Sequence, residues 1–256
     1  MVADRYFHTG TRVVTWQDPG GYDAYRPPAG AIAAAREPDN FGVRHSVAVA
    51  PAAVGVPLSG LPELRRLVDQ FVLHYDDCGS SKWCFIALQR RQLSVHFLLD
   101  VDGTVYQTLD LRERAYHATT ANNRSIGIEI ANLGAFEPRE AGVLAQWYHR
   151  DATGHIRLAP PPELGDPGTR TKDFVGRPAR AQPVPGIING HRVAQYDFTP
   201  EQYAALIKLT AALHQIFPRL KLDCPRDIRG RVLPGKLPDA TLDRFRGILG
   251  HWHIQA

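Results

Sequence analysis

The sequence predicts an α/β domain, and three segments carry that expectation. Residues 71–75, "FVLHY", form a continuous apolar run broken by one histidine, the pattern of a buried central strand. Residues 125–130, "SIGIEI", repeat with a period of two. Ile126, Ile128 and Ile130 therefore point to one face and Ser125, Gly127 and Glu129 to the other. The third segment is a capped helix, with Thr199 as N-cap, Pro200 in the first turn and Gln202 completing a capping box. Tyr203, Leu206, Ile207, Leu213, Ile216 and Phe217 recur at helical spacing until Pro218 stops it.

Between these anchors, "SKWCFIALQRR" fits a helix. "LSVHFLLDVDGTVYQTLD" reads as a hairpin around an Asp102-Gly103 turn, where glycine accepts positive φ. "WYHRDATGHIRLAPPP" fits a small hairpin, and "ELGDPGTRTKDFVGRPARAQPVPG" is a Pro/Gly-rich insertion long enough to rim a site. Residues 1–66 are rich in Gly, Pro and Ala, with apolar runs too short for a second core. They are expected to wrap, as an N-terminal extension with a short strand at "TRVVTW", around one domain spanning 67–256.

Bulk properties narrow the function classes. A 256-residue chain can bury a real core, and 44% hydrophobic with 22% charged residues is ordinary for a soluble protein. The net charge of +4 comes from scattered residues, with "PRDIRGR" the densest cluster. No Lys/Arg stripe interleaved with aromatics is present, which excludes a nucleic-acid partner from the expectations. No apolar run approaches the roughly 18–20 residues of a membrane span. "MVADRYFHTG" lacks the order of a signal peptide. A complete chain is thus expected in the cytoplasm, and a fragment of a longer precursor in the cell envelope. The three cysteines, Cys78, Cys84 and Cys224, rule out a disulfide-stapled fold. For Cys78 and Cys84, a local disulfide and two free thiols both fit the spacing.

Chemistry concentrates in a few of the eleven histidines. His8, His45, His149, His155 and His214 lack any partner pattern. His191 lies in the Pro/Gly segment and reads as mundane, although Asp197 follows it. His74 differs, because an imidazole ending a buried strand needs a partner. Glu129, buried by its own strand pattern, faces small side chains and carries the same need. One metal ion would satisfy both, as in hydrolytic zinc sites where a carboxylate takes a proton from water. His251 and His253, two apart near the end of the sequence, add two more candidate ligands, and Asp76 a weaker one.

Four segments in order, "FVLHYD", "LSVHFLLDVDGTVYQTLDLRERAYHATTANNRSIGIEIANLG", "FTPEQYAALIKLTAALHQIFPRL" and "GILGHWHIQ", resemble the zinc-dependent N-acetylmuramoyl-L-alanine amidases. That family includes bacterial cell-wall-recycling amidases, phage amidase lysozymes and animal peptidoglycan recognition proteins. The resemblance covers roughly 68–134 and 198–256. It implies a central mixed sheet flanked by helices, with a groove over the zinc. It also implies His74 and His251 as metal ligands, Glu129 as the catalytic carboxylate, and His117 and Asn123 as substrate-binding residues at the cleft edge and wall. The implied reaction is hydrolysis of the bond joining N-acetylmuramic acid to L-alanine in peptidoglycan or muropeptides. Two departures stand out. Val95 replaces a catalytic tyrosine of the phage relatives, which points to Glu129 as proton acceptor. The third ligand, an Asp or Cys, is expected beyond residue 256. Retention of Glu129 favours an active enzyme. The missing ligand favours a non-catalytic peptidoglycan-binding module, and an interaction protein on the same fold is the third reading.

Overall fold

The computed structural model describes residues 1–26, 40–45 and 60–256. The parts of the expected extension at 27–39 and 46–59 lie outside the described residues. Along the chain come β1 (Val13–Thr15), β2 (Phe41–Val43), α1 (Leu61–Leu67), β3 (Gln70–Tyr75), α2 (Ser81–Arg90), β4 (Phe97–Leu99), β5 (Val105–Gln107), β6 (Glu113–Ala115) and β7 (Ser125–Ile130). There follow α3 (Ala141–Trp147), β8 (Tyr148–Arg150), β9 (Ile156–Leu158), β10 (Val184–Ile188), β11 (His191–Gln195), α4 (Pro200–Ile216), α5 (Asp239–Leu242) and β12 (Gly247–Gly250).

A six-stranded mixed sheet in the order β1-β5-β4-β7-β3-β12 forms the centre of an α/β fold. The run β4-β7-β3-β12 is parallel, β5 runs antiparallel to β4, and β1 lies parallel to β5 at the edge. Two-stranded ribbons form from β2 with β6, β8 with β9, and β10 with β11.

The alternation read from 125–130 decides what each face of the sheet meets. Phe71, Phe97, Leu99, Ile126, Ile128 and Ile130 pack in one core with Leu61 and Leu64 of α1 and Ala205, Leu209, Leu213 and Ile216 of α4. Each such Leu, Ile or Phe contributes about 1.5–3 kcal/mol relative to exposure. The opposite face packs Leu98 and Tyr106 against Cys84, Phe85 and Leu88 of α2. The sheet is therefore covered on both sides, as its near-continuous apolar strands require.

The α4 cap does more than start a helix. Thr199 Oγ1 accepts from the Gln202 N–H at 3.1 Å and donates to the Val101 carbonyl at 2.7 Å. Gln202 Nε2 donates to the Ala131 carbonyl at 2.8 Å, which ties the helix to the end of β7. Ile207 corrects the expected apolar stripe, for it is 67% exposed. It stands two residues from both Ala205 and Leu209, and at 100° per residue that turns it to the far side of the helix.

The stretch 184–195 corrects another expectation. The sequence pattern places its first residues in the insertion loop, yet β10 and β11 pair over five residues around Asn189-Gly190, both at positive φ. Asn-Gly is the favoured two-residue hairpin turn and was legible in the sequence. Among the described residues, no helix is long and apolar enough to cross a membrane.

Candidate active site

Parallel register brings the first two candidates together. His74 of β3 and Glu129 of β7 are direct partners, so their side chains leave the sheet on the same face. Strand β12 pairs with β3 and ends at Gly250, which sets His251 in the next turn, beside His74. His74 Nδ1 stands 3.7 Å from Glu129 Oε1. The His74 and His251 rings lie 4.6 Å apart between centroids, tilted by 31°. All three residues sit at the C-terminal ends of parallel strands, where open α/β sheets place their sites.

The outer nitrogens of both imidazoles are taken. His251 Nε2 is 2.9 Å from Gln255 Oε1, an oxygen that can only accept, so the proton lies on Nε2 and Nδ1 keeps its lone pair. His74 Nε2 meets His117 Nδ1 at 3.1 Å, and His117 Nε2 meets Ser125 Oγ at 3.2 Å. The same tautomer satisfies this chain, with each Nε2–H donating outward. Outer partners of this kind fix ring orientation and leave the inner nitrogens to a ligand.

His117 is seated by its neighbours. Its backbone N–H donates to Asn122 Oδ1 at 3.1 Å. Its ring lies so close to Gly127 that an added Cβ would come within 2.6 Å of ring atoms. Gly127 sits in β7, which is paired on both sides, so the backbone cannot retreat. A Gly127→Ala variant is expected to fold but to displace His117. Metal affinity or activity should then fall about 10–100-fold, the range for a lost outer partner. Melting temperature and turnover measured side by side check this; a folded variant with unchanged turnover would remove His117 from the orienting role.

Behind this layer lies His96, which sequence reasoning passed over. His96 Nδ1 accepts from the Gly127 N–H at 3.1 Å, and Nε2 donates to the Glu113 carbonyl at 3.1 Å. Burial and the nearby Arg44 guanidinium push its pKa down to about 3, so the ring is neutral and structural. Arg44 is itself fully buried. It donates to the carbonyls of Leu111, Asn122, Asn123 and Ser125 at 2.8–3.2 Å. The Asn123 amide is spent on the backbone of His45, accepting from its N–H and donating to its carbonyl, each at 2.9 Å. Nothing in the sequence signals Arg44, whose partners are main-chain oxygens and the His96 ring, 3.0 Å from its Nη2. Val95 is buried in the α2-side core, away from the polar cluster.

A groove of about 530 Å³ opens over the cluster, lined by His74, Tyr75, Glu137, His191, His251 and Trp252 among others. His117 and Asn123 are not among its lining residues, and Glu129 stands behind His74 with its side chain 11% exposed. His191 sits on the rim, where its Nδ1 contacts Glu137 Oε1 at 2.8 Å.

Burial works against charge on the inner groups. Burial, then Asp76 and Cys78, raise the Glu129 carboxyl well above the usual range. Burial, then His117 and His251, lower His74 well below its ordinary value.

A catalytic zinc needs three protein ligands and an open position. His74 Nδ1 and His251 Nδ1 have the free lone pairs and mutual closeness of two such ligands. His253 does not supply a third: its Nδ1 accepts from the Gly250 N–H and its Nε2 donates to the Leu233 carbonyl. Asp76 Oδ1 is spent on the N–H groups of Cys78, Gly79 and Asn132. Among the described residues, no group of three His, Cys, Asp or Glu side chains is arranged to hold an ion. The donor set fits part of a metal site. Cys78 and Cys84 are free thiols, hydrogen-bonded to each other.

Paired imidazoles and a buried carboxylate beneath a groove on an α/β sheet form the kind of cluster that hydrolases use. The profile of the N-acetylmuramoyl-L-alanine amidase family matches residues 64–254, and the chain belongs to that family. Among solved structures it is similar to the Escherichia coli N-acetylmuramyl-L-alanine amidase AmiD, in complex with the substrate anhydro-N-acetylmuramic acid-L-Ala-D-gamma-Glu-L-Lys. That match has 17% identity over 69% of this chain and 53% of the AmiD chain, with a TM-score of 0.35. It is also similar to a Se-Met derivative of AmpD, at 17% identity over 100% of this chain and 88% of that one, with a TM-score of 0.32. The chain thus spans about half the length of the AmiD chain, 53%. No curated protein sequence matches it.

Proposed function

We propose that this chain hydrolyses the amide bond between the lactyl group of N-acetylmuramic acid and the L-alanine of a peptidoglycan stem peptide. The observation that carries the reading is the meeting of His74, Glu129 and His251 at the ends of β3, β7 and β12, beneath the groove, in a member of this family. His74 and His251 would hold a zinc ion through their Nδ1 atoms, as two of its ligands. When bound, the ion supplies a Lewis acid that makes water acidic enough to attack at neutral pH. Glu129 takes the proton from the attacking water at a carboxylate oxygen and passes it to the departing alanine nitrogen. His117 and Gln255 act from outside, holding the two imidazoles in the tautomer that presents Nδ1. The groove binds a soluble or wall-derived muropeptide.

The test is release of the free L-Ala-D-Glu peptide from a muramoyl peptide, followed by mass spectrometry. Release is expected with zinc supplied, loss after chelation, and recovery when zinc is restored. Binding of the muropeptide without release under zinc would make the chain a recognition module instead.

A further inference from the structure

Like Tyr75, Trp252 is an aromatic side chain of this groove that the proposed hydrolysis leaves without a task. It follows His251 directly and lines the same cavity. Three contacts hold its ring. The six-membered half lies against the Gly250 backbone so closely that an added Cβ would come within 2.3 Å of it. Its Nε1–H donates to the Leu233 carbonyl at 3.2 Å, and its ring packs beside that of His253, with centroids 4.9 Å apart. It belongs to none of the buried core clusters, although Leu249 and Ile254 nearby do. An indole fixed through one face and its N–H, with its remaining surface turned to a groove, is a rigid apolar plate.

From this we infer that Trp252 is the platform on which the saccharide of the substrate stacks, and that it makes the groove selective for a sugar-bearing amide. The inference rests on the amidase reading and adds the direction in which substrate lies. Pyranose rings present an apolar C–H face that packs on aromatic surfaces, as other apolar groups do. In a muramoyl peptide the scissile carbonyl belongs to the lactyl group carried by the sugar, so the sugar must sit immediately beside the hydrolytic centre. Trp252 is immediately beside His251. The peptide half then extends along the rest of the groove, which Tyr75 also lines. That ring lies on Gly134, where an added Cβ would come within 2.2 Å, and the rim there is the Glu137–His191 contact.

The experiment compares kcat/KM on two substrates that share the scissile amide, N-acetylmuramoyl-L-Ala-D-Glu and the sugar-free lactoyl-L-Ala-D-Glu. Trp252→Ala should lower the preference for the muramoyl substrate about tenfold. Trp252→Phe, which keeps a flat ring, should retain most of it. A preference unchanged in Trp252→Ala, or lost equally in both variants, would overturn the platform. If the wild-type chain hydrolyses neither substrate, the amidase reading fails separately, and calorimetric binding of the muramoyl dipeptide decides the platform. Affinity that is weakened in Trp252→Ala and kept in Trp252→Phe supports it, whereas equal affinity or none in all three proteins overturns it.

Discussion

A Glu129→Gln variant is expected to lose about 10²–10⁴-fold in turnover while keeping its fold, its metal content and its affinity for muropeptide. Glutamine preserves the size of the side chain and its hydrogen-bonding oxygen but cannot take a proton. The loss corresponds to about 3–5 kcal/mol of transition-state stabilisation. Neither the core nor the strand pairing should notice, because Glu129 faces Gly127 and Ser125 rather than the isoleucine face. The variant also removes a carboxyl whose charged form burial penalises, so folding should be no weaker. Single-turnover rates and zinc content on the same preparation give the answer. Wild-type turnover in the variant would end the assignment of Glu129 as proton acceptor.

The second large effect is expected far from the groove. Arg44→Met should destabilise the protein by about 3 kcal/mol, because the carbonyls of Leu111, Asn122, Asn123 and Ser125 lose their common donor inside the protein. In a chain of this size that is a fall in melting temperature of roughly 6–12 °C. Lysine should not rescue it, since a single ammonium cannot reproduce the fork that meets four oxygens. Activity should drop as well, because Arg44 secures the 122–125 backbone, and Asn122 in turn holds the His117 N–H. Thermal unfolding of the Met and Lys variants checks the first part. A melting temperature within a degree or two of wild type would mean that water replaces the guanidinium.

These two residues mark the limits of what the sequence discloses. A period of two in 125–130 is enough to separate Glu129 from the isoleucines, because strand geometry is local. Parallel register then sets it beside His74, and that pairing is invisible in either segment alone. His251 is a candidate from its spacing to His253, but only resemblance prefers it, since "GHWH" carries no local sign of which strand will lie next to β3. His253 shows the converse. Its spacing looks ligand-like, but a tight turn after Gly250 spends both its nitrogens on backbone groups. Arg44 was unreadable because it stands in a Gly/Pro/Ala-rich stretch and meets main-chain oxygens and a histidine distant in sequence. The β10–β11 hairpin was readable from Asn-Gly, yet Pro185 and Gly186 masked its strand character. Helix α3, seven residues with Leu144 as its buried side chain, offers too little periodicity to detect.

The place of β12 in the sheet has a consequence for biosynthesis. It pairs with β3, made much earlier, and everything between them must leave the ribosome before Gly247–Gly250 can dock. The nascent chain can gather β3, β4, β5 and β7 beforehand, and with them His74, His117 and Glu129. It cannot yet bring His251 beside His74. Such long-range closure comes late in folding because it bears the entropy of a long loop. On the proposed reading, hydrolytic capacity would therefore arise only once Gly247–Gly250 has docked.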